Sequence, residues 1–321
     1  SRQTTYRHKS LSFLGRGSNS TLVDFQQVYT YAAALDSDGV LFTWGSNANG
    51  QLGHGDIVHR QHATPVQFFL DNSIKVVKFW LPNEHETGQT GMMFALGDND
   101  VLYSWGYNGY GQLGIGNTTQ QTSPVVVQLQ GGLTGADVEE IVIGGNNYSS
   151  VYMIDNTGQL WSWGYNDGNG PLGHGDTVSK SVPTKVVNIT DAVKLIAGVR
   201  QSSTTKSAWV MRSDGSIWGS GYNGFGQLGT GDTAVKTSFT QEISGINNAV
   251  DIYRTSGWYG ASFVKLADGN LRFAGYNGYA FSGMDSVTNS NTYIAVVGDI
   301  NGTKGFTCLL YTSPSPRDSS K

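Results

Sequence analysis

Three features of this 321-residue chain could do chemistry, and each is weaker than it first looks. Glu84, His85 and Glu86 stand together in the stretch LPNEHETGQTGM, and carboxylates beside an imidazole are the ligand types that hold a divalent cation. The HExxH spacing that puts two histidines on one helix face is missing, and no further ligand lies nearby, so these residues read as a solvated loop. His54-Gly55-Asp56 and His174-Gly175-Asp176 pair an imidazole with a carboxylate. Two similar stretches carry Ile115-Gly116-Asn117 and Thr230-Gly231-Asp232 in their place, which makes all four turn residues whose acidic or amide side chain bonds the local backbone. The glycine-rich strings are not phosphate loops, since no helix signal follows them and no G-K-[ST] occurs. The single cysteine, Cys308, excludes an internal disulfide and a multi-cysteine metal site. No nucleophile, base and orienting group assemble. The reading is therefore of a non-enzyme with no catalytic residue, no cofactor and no metal ligand.

Composition points the same way. Charged residues make up 14% of the chain, against a usual share of about 25%. The 20 Lys and Arg against 24 Asp and Glu leave a net charge of -4, so no general affinity for nucleic acid or anionic membranes is expected. The one basic cluster, Arg2, Arg7, His8, Lys9 and Arg16, reads as a solvated tail. No apolar run reaches the length of a membrane-spanning helix, so no membrane insertion is expected. Localisation stays open, with a lean toward an extracellular or virion surface drawn from the low charge and the abundance of Asn, Gly, Ser and Thr. Sequons at Asn19, Asn117, Asn147 and Asn188 would permit glycosylation there.

The elements that must position any site come from a repeat. One segment recurs as LFTWGSNANGQLGHGD from Leu41, LYSWGYNGYGQLGIGN from Leu102, LWSWGYNDGNGPLGHGD from Leu160 and IWGSGYNGFGQLGTGD from Ile217. An eroded copy, LRFAGYNGYAFSGMD, starts at Leu271. Before each copy lies an apolar run and a turn ending at Gly39, Asp100, Gly158, Gly215 or Gly269, which marks a hairpin. Asp100 should be strained where the others have Gly. Two further apolar runs follow most copies, for example Pro124 to Val127 and then Val138 to Ile143. Four short strands per repeat without helical periodicity predict blades of a β-propeller, which hides sheet edges by packing blades side by side. Trp44, Trp105 and Trp163, each followed by a glycine (Gly45, Gly106, Gly164), should lie between blades. Gly221 and Gly275 keep the glycine, but Ser220 and Ala274 replace the tryptophan, so those two blades should be packed less tightly.

The pattern W-G-x-N-x-x-G-Q-L-G-x-G, preceded by D-G, resembles the RCC1 repeat family. That resemblance implies an all-β, RCC1-like propeller with five recognisable blades. A sixth repeat begins at AVVGDINGTKGFTCLL, as in a fragment of a seven-bladed ring. Residues 1–27 read as a lead-in or partial blade, 28–308 as the propeller, and 309–321 as a non-native or disordered tail. The roles of the family are diverse, including nucleotide exchange on a small GTPase and scaffolding in ubiquitin ligases. The family often carries G-x-x-H-S before a repeat's first strand, and the corresponding GGNNYSS at Gly144, GVRQSSTTKS at Gly198 and TSGWYGAS at Thr255 lack that histidine. No exchange-factor residue can be carried over.

The expected function is a non-catalytic protein-binding or structural module whose partner is a protein; the alternative is an exchange factor or regulator of a small GTPase. Contacts should concentrate on loops that vary on a uniform scaffold. Trp80, Tyr148, Arg200, Trp258 and Tyr259 fall in the same inter-strand loop of successive repeats, so a propeller places them on one rim. The repeated Tyr107, Tyr165, Tyr222 and Tyr276 read instead as inter-blade packing.

Overall fold

The structure, a computed structural model, describes residues 20–82, 91–145, 148–198, 206–255, 260–280, 282–283 and 287–296. It contains five four-stranded antiparallel sheets. Blade 1 consists of β1 (Leu22–Gln27), β2 (Tyr31–Asp36), β3 (Leu41–Gly45) and β4 (Arg60–Pro65), with the one-turn helix α1 (Gln67–Asp71) leading to the next blade. Blade 2 has β5 (Val76–Trp80), β6 (Met92–Gly97), β7 (Leu102–Gly106) and β8 (Gln121–Val126). Blade 3 has β9 (Val138–Gly144), β10 (Ser150–Asp155), β11 (Leu160–Gly164) and β12 (Lys180–Lys185). Blade 4 has β13 (Ala192–Ala197), β14 (Ser207–Arg212), β15 (Ile217–Gly221) and β16 (Lys236–Gln241). Blade 5 has β17 (Ala249–Arg254), β18 (Ala261–Leu266), β19 (Leu271–Gly275) and β20 (Ser290–Ala295). β1 lies within the stretch read as a lead-in or partial blade. Ala295 and Val296, read as the first residues of a sixth repeat, belong to blade 5, where Ala295 ends β20 and Val296 packs on its core; the rest of that stretch, Cys308, the basic N-terminal cluster and the tail lie outside the described residues.

Each sheet runs in sequence order, so every connection within a blade joins adjacent antiparallel strands. The second and third strands are almost wholly buried: every residue of β2 and β10 is, and so is every residue of β7 and β11. The fourth strand is the most exposed in blades 2 to 5, and the first strand in blade 1. Asp100 adopts φ +56° in its turn, the left-handed conformation the other hairpins give to Gly. The glycine closing each third strand meets a steric demand. A Cβ on Gly106 would come 2.3 Å from Gly91 O, and one on Gly221 would come 2.2 Å from Lys206 O. The chain after the third strand thus crosses directly over the start of the second.

The core sits in the seams between blades. Leu35, Leu41 and Leu52 of blade 1 pack with Phe79, Met93 and Trp105 of blade 2, and the same arrangement recurs at the later seams. As expected, Trp105 and Trp163 are inter-blade residues. Their indole N–H groups donate to the carbonyls of Gln51 and Gln112 in the preceding blade, both at 2.9 Å. Trp44 instead stacks on Phe25 of its own blade at 6.0 Å.

The expectation that blades 4 and 5 pack loosely is not met. The aromatic ring has moved from the third strand to the fourth. Phe239 in β16 and Tyr293 in β20 fill the space, and both are buried. Added Cβ atoms at Gly53 and Gly114 would strike Trp105 and Trp163, whereas at Gly173 and Gly229 they would strike Phe239 and Tyr293. The small residues left behind are used: Ser220 Oγ donates to Pro171 O at 2.8 Å.

Candidate interaction rim

The loop joining third to fourth strands and the loop joining first to second strands emerge at the same end of each blade. A buried asparagine fixes the former. Asn47, Asn108, Asn166 and Asn223 each accept the N–H of the leucine that follows in Q/P-L-G, at 2.8, 2.9, 3.1 and 3.0 Å. Their amide groups donate across the loop to the carbonyls of Asp56, Asn117, Asp176 and Asp232. Asp56, Asp176 and Asp232 also reach Arg60, Lys180 and Lys236, each at 2.7 Å. The bonds to Arg60 and Lys236 hold Asp56 and Asp232 below the usual carboxylate range. His54 Nε2 lies 3.0 Å from Thr43 Oγ1 and His174 Nε2 lies 2.9 Å from Ser162 Oγ, and burial pushes both imidazoles down. These residues are internal parts of the loops. No group of three metal-ligand side chains gathers among the described residues, and Glu84, His85 and Glu86 lie outside them.

On this scaffold stands an aromatic cluster. Tyr110 from blade 2 meets Tyr165 from blade 3 at 4.7 Å, and Tyr148, from the β9–β10 loop, contacts both at 5.2 and 5.0 Å. All three rings are half-buried. Farther along, Tyr222, Phe225, Tyr276 and Tyr279 touch in succession at 6.0, 5.3 and 6.0 Å across blades 4 and 5. Of the repeat tyrosines, Tyr165 and Tyr276 pack against a ring of the preceding blade, and Tyr165 joins the variable-loop residue Tyr148 on the rim, whereas Tyr222 meets Phe225 of its own loop.

Trp80 does not belong to that surface. It is 4% exposed, in the core between blades 2 and 3, with Lys78 Nζ 5.0 Å from its ring centre. Its indole N–H faces the Glu140 carboxylate without closing a hydrogen bond. It ends β5, and the alternation of that strand turns its ring into the seam between blades 2 and 3 rather than toward the rim. Arg200, Trp258 and Tyr259 lie outside the described residues.

Two charged groups escaped notice in the sequence. Lys206 is 1% exposed, and its Nζ has no hydrogen-bond partner. It lies 4.7 Å from the ring centre of Tyr165 and 5.9 Å from that of Tyr148. Burial pushes its amine down to about 7, against the opposing pull of Asp167. Asp167 is also buried, with Oδ1 accepting the Asn169 N–H and Oδ2 unpartnered, and burial pushes its carboxyl up. The available signal was a departure from the repeat: the third copy inserts a residue and has Pro171 where the first, second and fourth have Gln.

Comparison with known proteins agrees with this architecture. The Regulator of chromosome condensation (RCC1) repeat matches residues 38–80, 92–149 and 157–203. The Ultraviolet-B receptor UVR8 of Arabidopsis thaliana is 30% identical over 204 residues, 63% of this chain and 42% of the receptor. The human E3 ubiquitin-protein ligase HERC2 is 30% identical over 196 residues, 59% of this chain and 4% of the ligase. The chain thus spans less than half the length of either relative. Among solved structures, human WBSCR16 superposes with a TM-score of 0.65 at 17% identity, covering 89% of this chain and 69% of that one. Yeast RCC1 (Prp20), solved bound to Kap60, gives 0.61 at 15% identity, covering 87% and 62%. With a G-x-N loop repeated on each of five antiparallel blades, preceded by tryptophan in the first three, this chain belongs to the RCC1-like repeat family.

Proposed function

We propose that this chain is a non-catalytic protein-binding module that presents one rim of its propeller to a partner. The observation that carries this reading is the half-exposed cluster of Tyr110, Tyr148 and Tyr165, with Tyr222, Phe225, Tyr276 and Tyr279 continuing along the same rim. Tyrosines offer large, stiff contact area with a polar tip, so little conformational entropy is lost when they are covered. The rigid loops beneath them lower that cost further. Structural relatives support the reading in kind, since yeast RCC1 was solved bound to Kap60 and Prp20p was studied for binding to Gsp1p and histones. The low charge of the chain fits an extracellular or virion-surface setting for this module. The exchange-factor alternative has no residue here to carry it.

The test is crosslinking capture with quantitative mass spectrometry, comparing the native chain with a Tyr110→Ala/Tyr148→Ala variant. A control, Asp214→Ala, alters the opposite, turn-bearing end. Loss of captured protein of tenfold or more in the tyrosine variant alone supports the rim. Equal capture by both variants overturns it, and accelerated nucleotide release from a small GTPase would replace it with the exchange-factor reading.

A further inference from the structure

The residue before each second strand lies beneath the loop crossing described above, and in the five blades it is Thr30, Gly91, Ser149, Lys206 and Gly260. Where it is glycine, a long glutamine from the preceding blade fills the seam. A Cβ on Gly91 would come 2.4 Å from Gln51 Cγ, and one on Gly260 would come 2.8 Å from Gln227 Nε2. Between blades 3 and 4 the partners are exchanged. The preceding blade offers the short Pro171, and the long side chain comes from the other side, as Lys206.

The exchange places an ionisable amine where the other seams hold a neutral amide. Around Nζ lie Tyr148 from the β9–β10 loop, Tyr165 and Asp167 from the β11–β12 loop, and Gly145, where a Cβ would be 2.9 Å from Nζ. Tyr110 backs both tyrosines from blade 2, and Tyr222 N–H donates to Lys206 O at 2.7 Å. Phenols titrate well above neutral, and those of Tyr110 and Tyr165 are pushed higher by burial. Lys206 and Asp167 are therefore the groups near Nζ that change charge at lower pH. Ring faces partly compensate an ammonium, but no oxygen accepts its protons.

We propose that the proton on Lys206 controls how firmly Tyr148 and Ser149 are held on this seam, so that Tyr148 is fixed on the rim when the amine is neutral and released when it is charged. This rests on the rim being the binding face and adds regulation to it. When the seam opens, the amine returns to water, where it holds its proton up to an ordinary value of 10.5, whereas in the closed seam it loses the proton above about 7. The open form is thus the more protonated, and lowering the pH favours it. For Lys206 alone, these two values make opening about tenfold more favourable at pH 6 than at pH 8, while Asp167, whose carboxyl burial pushes up in the closed seam, acts in the opposite direction as the pH falls further.

The experiment needs no partner. NMR of the lysine side chains reads the Lys206 titration directly, while amide hydrogen exchange, corrected for the intrinsic pH dependence, reads residues 148–150 and 206–208. The expected result is a Lys206 inflection near neutral pH and about tenfold lower protection of both segments at pH 6, with no such change at residues 260–262 beside Gly260. Lys206→Met keeps the length without the charge and should remove the loss of protection at pH 6. A Lys206 inflection near its ordinary value overturns the proposal, as does an undiminished pH dependence in Lys206→Met. If that variant does not fold, the titration of the native chain decides. Failure here leaves partner capture by the tyrosine rim intact, and failure of capture leaves the titration intact.

Discussion

Blades 2 and 3 close against their predecessors with a tryptophan on the third strand, whereas blades 4 and 5 use a phenylalanine or tyrosine on the fourth. The two solutions place a ring over the same turn glycine of the preceding blade: Gly53 and Gly114 in one case, Gly173 and Gly229 in the other. What the seam demands is a large apolar plate at that point in space, and either neighbouring strand can deliver it. The strand that gives up the ring does not leave a hole. Its small residue, Ser220 or Ala274, is buried, and the backbone carbonyls that correspond to the acceptors of the tryptophan indoles are bonded by Ser220 Oγ in blade 4, to Pro171 O, and in blade 5 by Ser262 Oγ of the second strand, opposite Ala274, to Gln227 O.

The sharpest way to break this equivalence is truncation of the ring. Trp163→Ala should cost about 3–5 kcal/mol in unfolding free energy, and Phe239→Ala a similar amount, measured by urea denaturation. Should Phe239→Ala prove nearly neutral, the fourth-strand ring is not the counterpart of the tryptophan. Next in size is the glycine beneath. Gly53→Ala combines φ +77° with a Cβ 2.8 Å from the Trp105 indole nitrogen, and should cost about 2–4 kcal/mol. Gly245→Ala has a similar φ of +74° in open space and should cost only about 1–2 kcal/mol. Equal losses would mean that backbone strain alone, without ring contact, makes these glycines necessary. The smallest effect separates Tyr293 from Phe239. Tyr293 OH lies 2.7 Å from Ser262 Oγ, so Tyr293→Phe should lose about 1 kcal/mol, because Ser262 retains its bond to Gln227 O. A thermal midpoint unchanged by that substitution would leave the ring as the whole of the contribution.

Much of the architecture was legible because the repeat supplies its own control. The four-strand period, the hairpin turns and the inter-blade place of Trp105 and Trp163 could be read by aligning the chain with itself. The position of Asp100 in a left-handed turn followed from the glycines at the equivalent sites. Phe239 and Tyr293 were not recognised as replacements, because they stand on a different strand from the missing tryptophan and only the pairing of β15 with β16 and β19 with β20 brings the two places together. The rim was half legible. A variable loop marks out Tyr148 and a regular one hides Tyr165, yet the two rings meet. The long loop after Trp80 points to the rim, but loop length says nothing of the direction of the last strand residue, and the ring is buried in the seam.

By itself, the sequence determined the unit: four strands, a tight hairpin, and a W-G-x-N loop whose glycine and asparagine answer local steric and hydrogen-bonding demands. Local demands recur with every copy, so repetition exposes them. Tertiary structure alone decided what happens between copies: which strand supplies the ring, whether glutamine or lysine fills the seam, and which tyrosines converge. Those outcomes depend on volume and charge shared by residues from different blades, and a buried amine such as Lys206 acquires its character only when the neighbouring blade removes it from water.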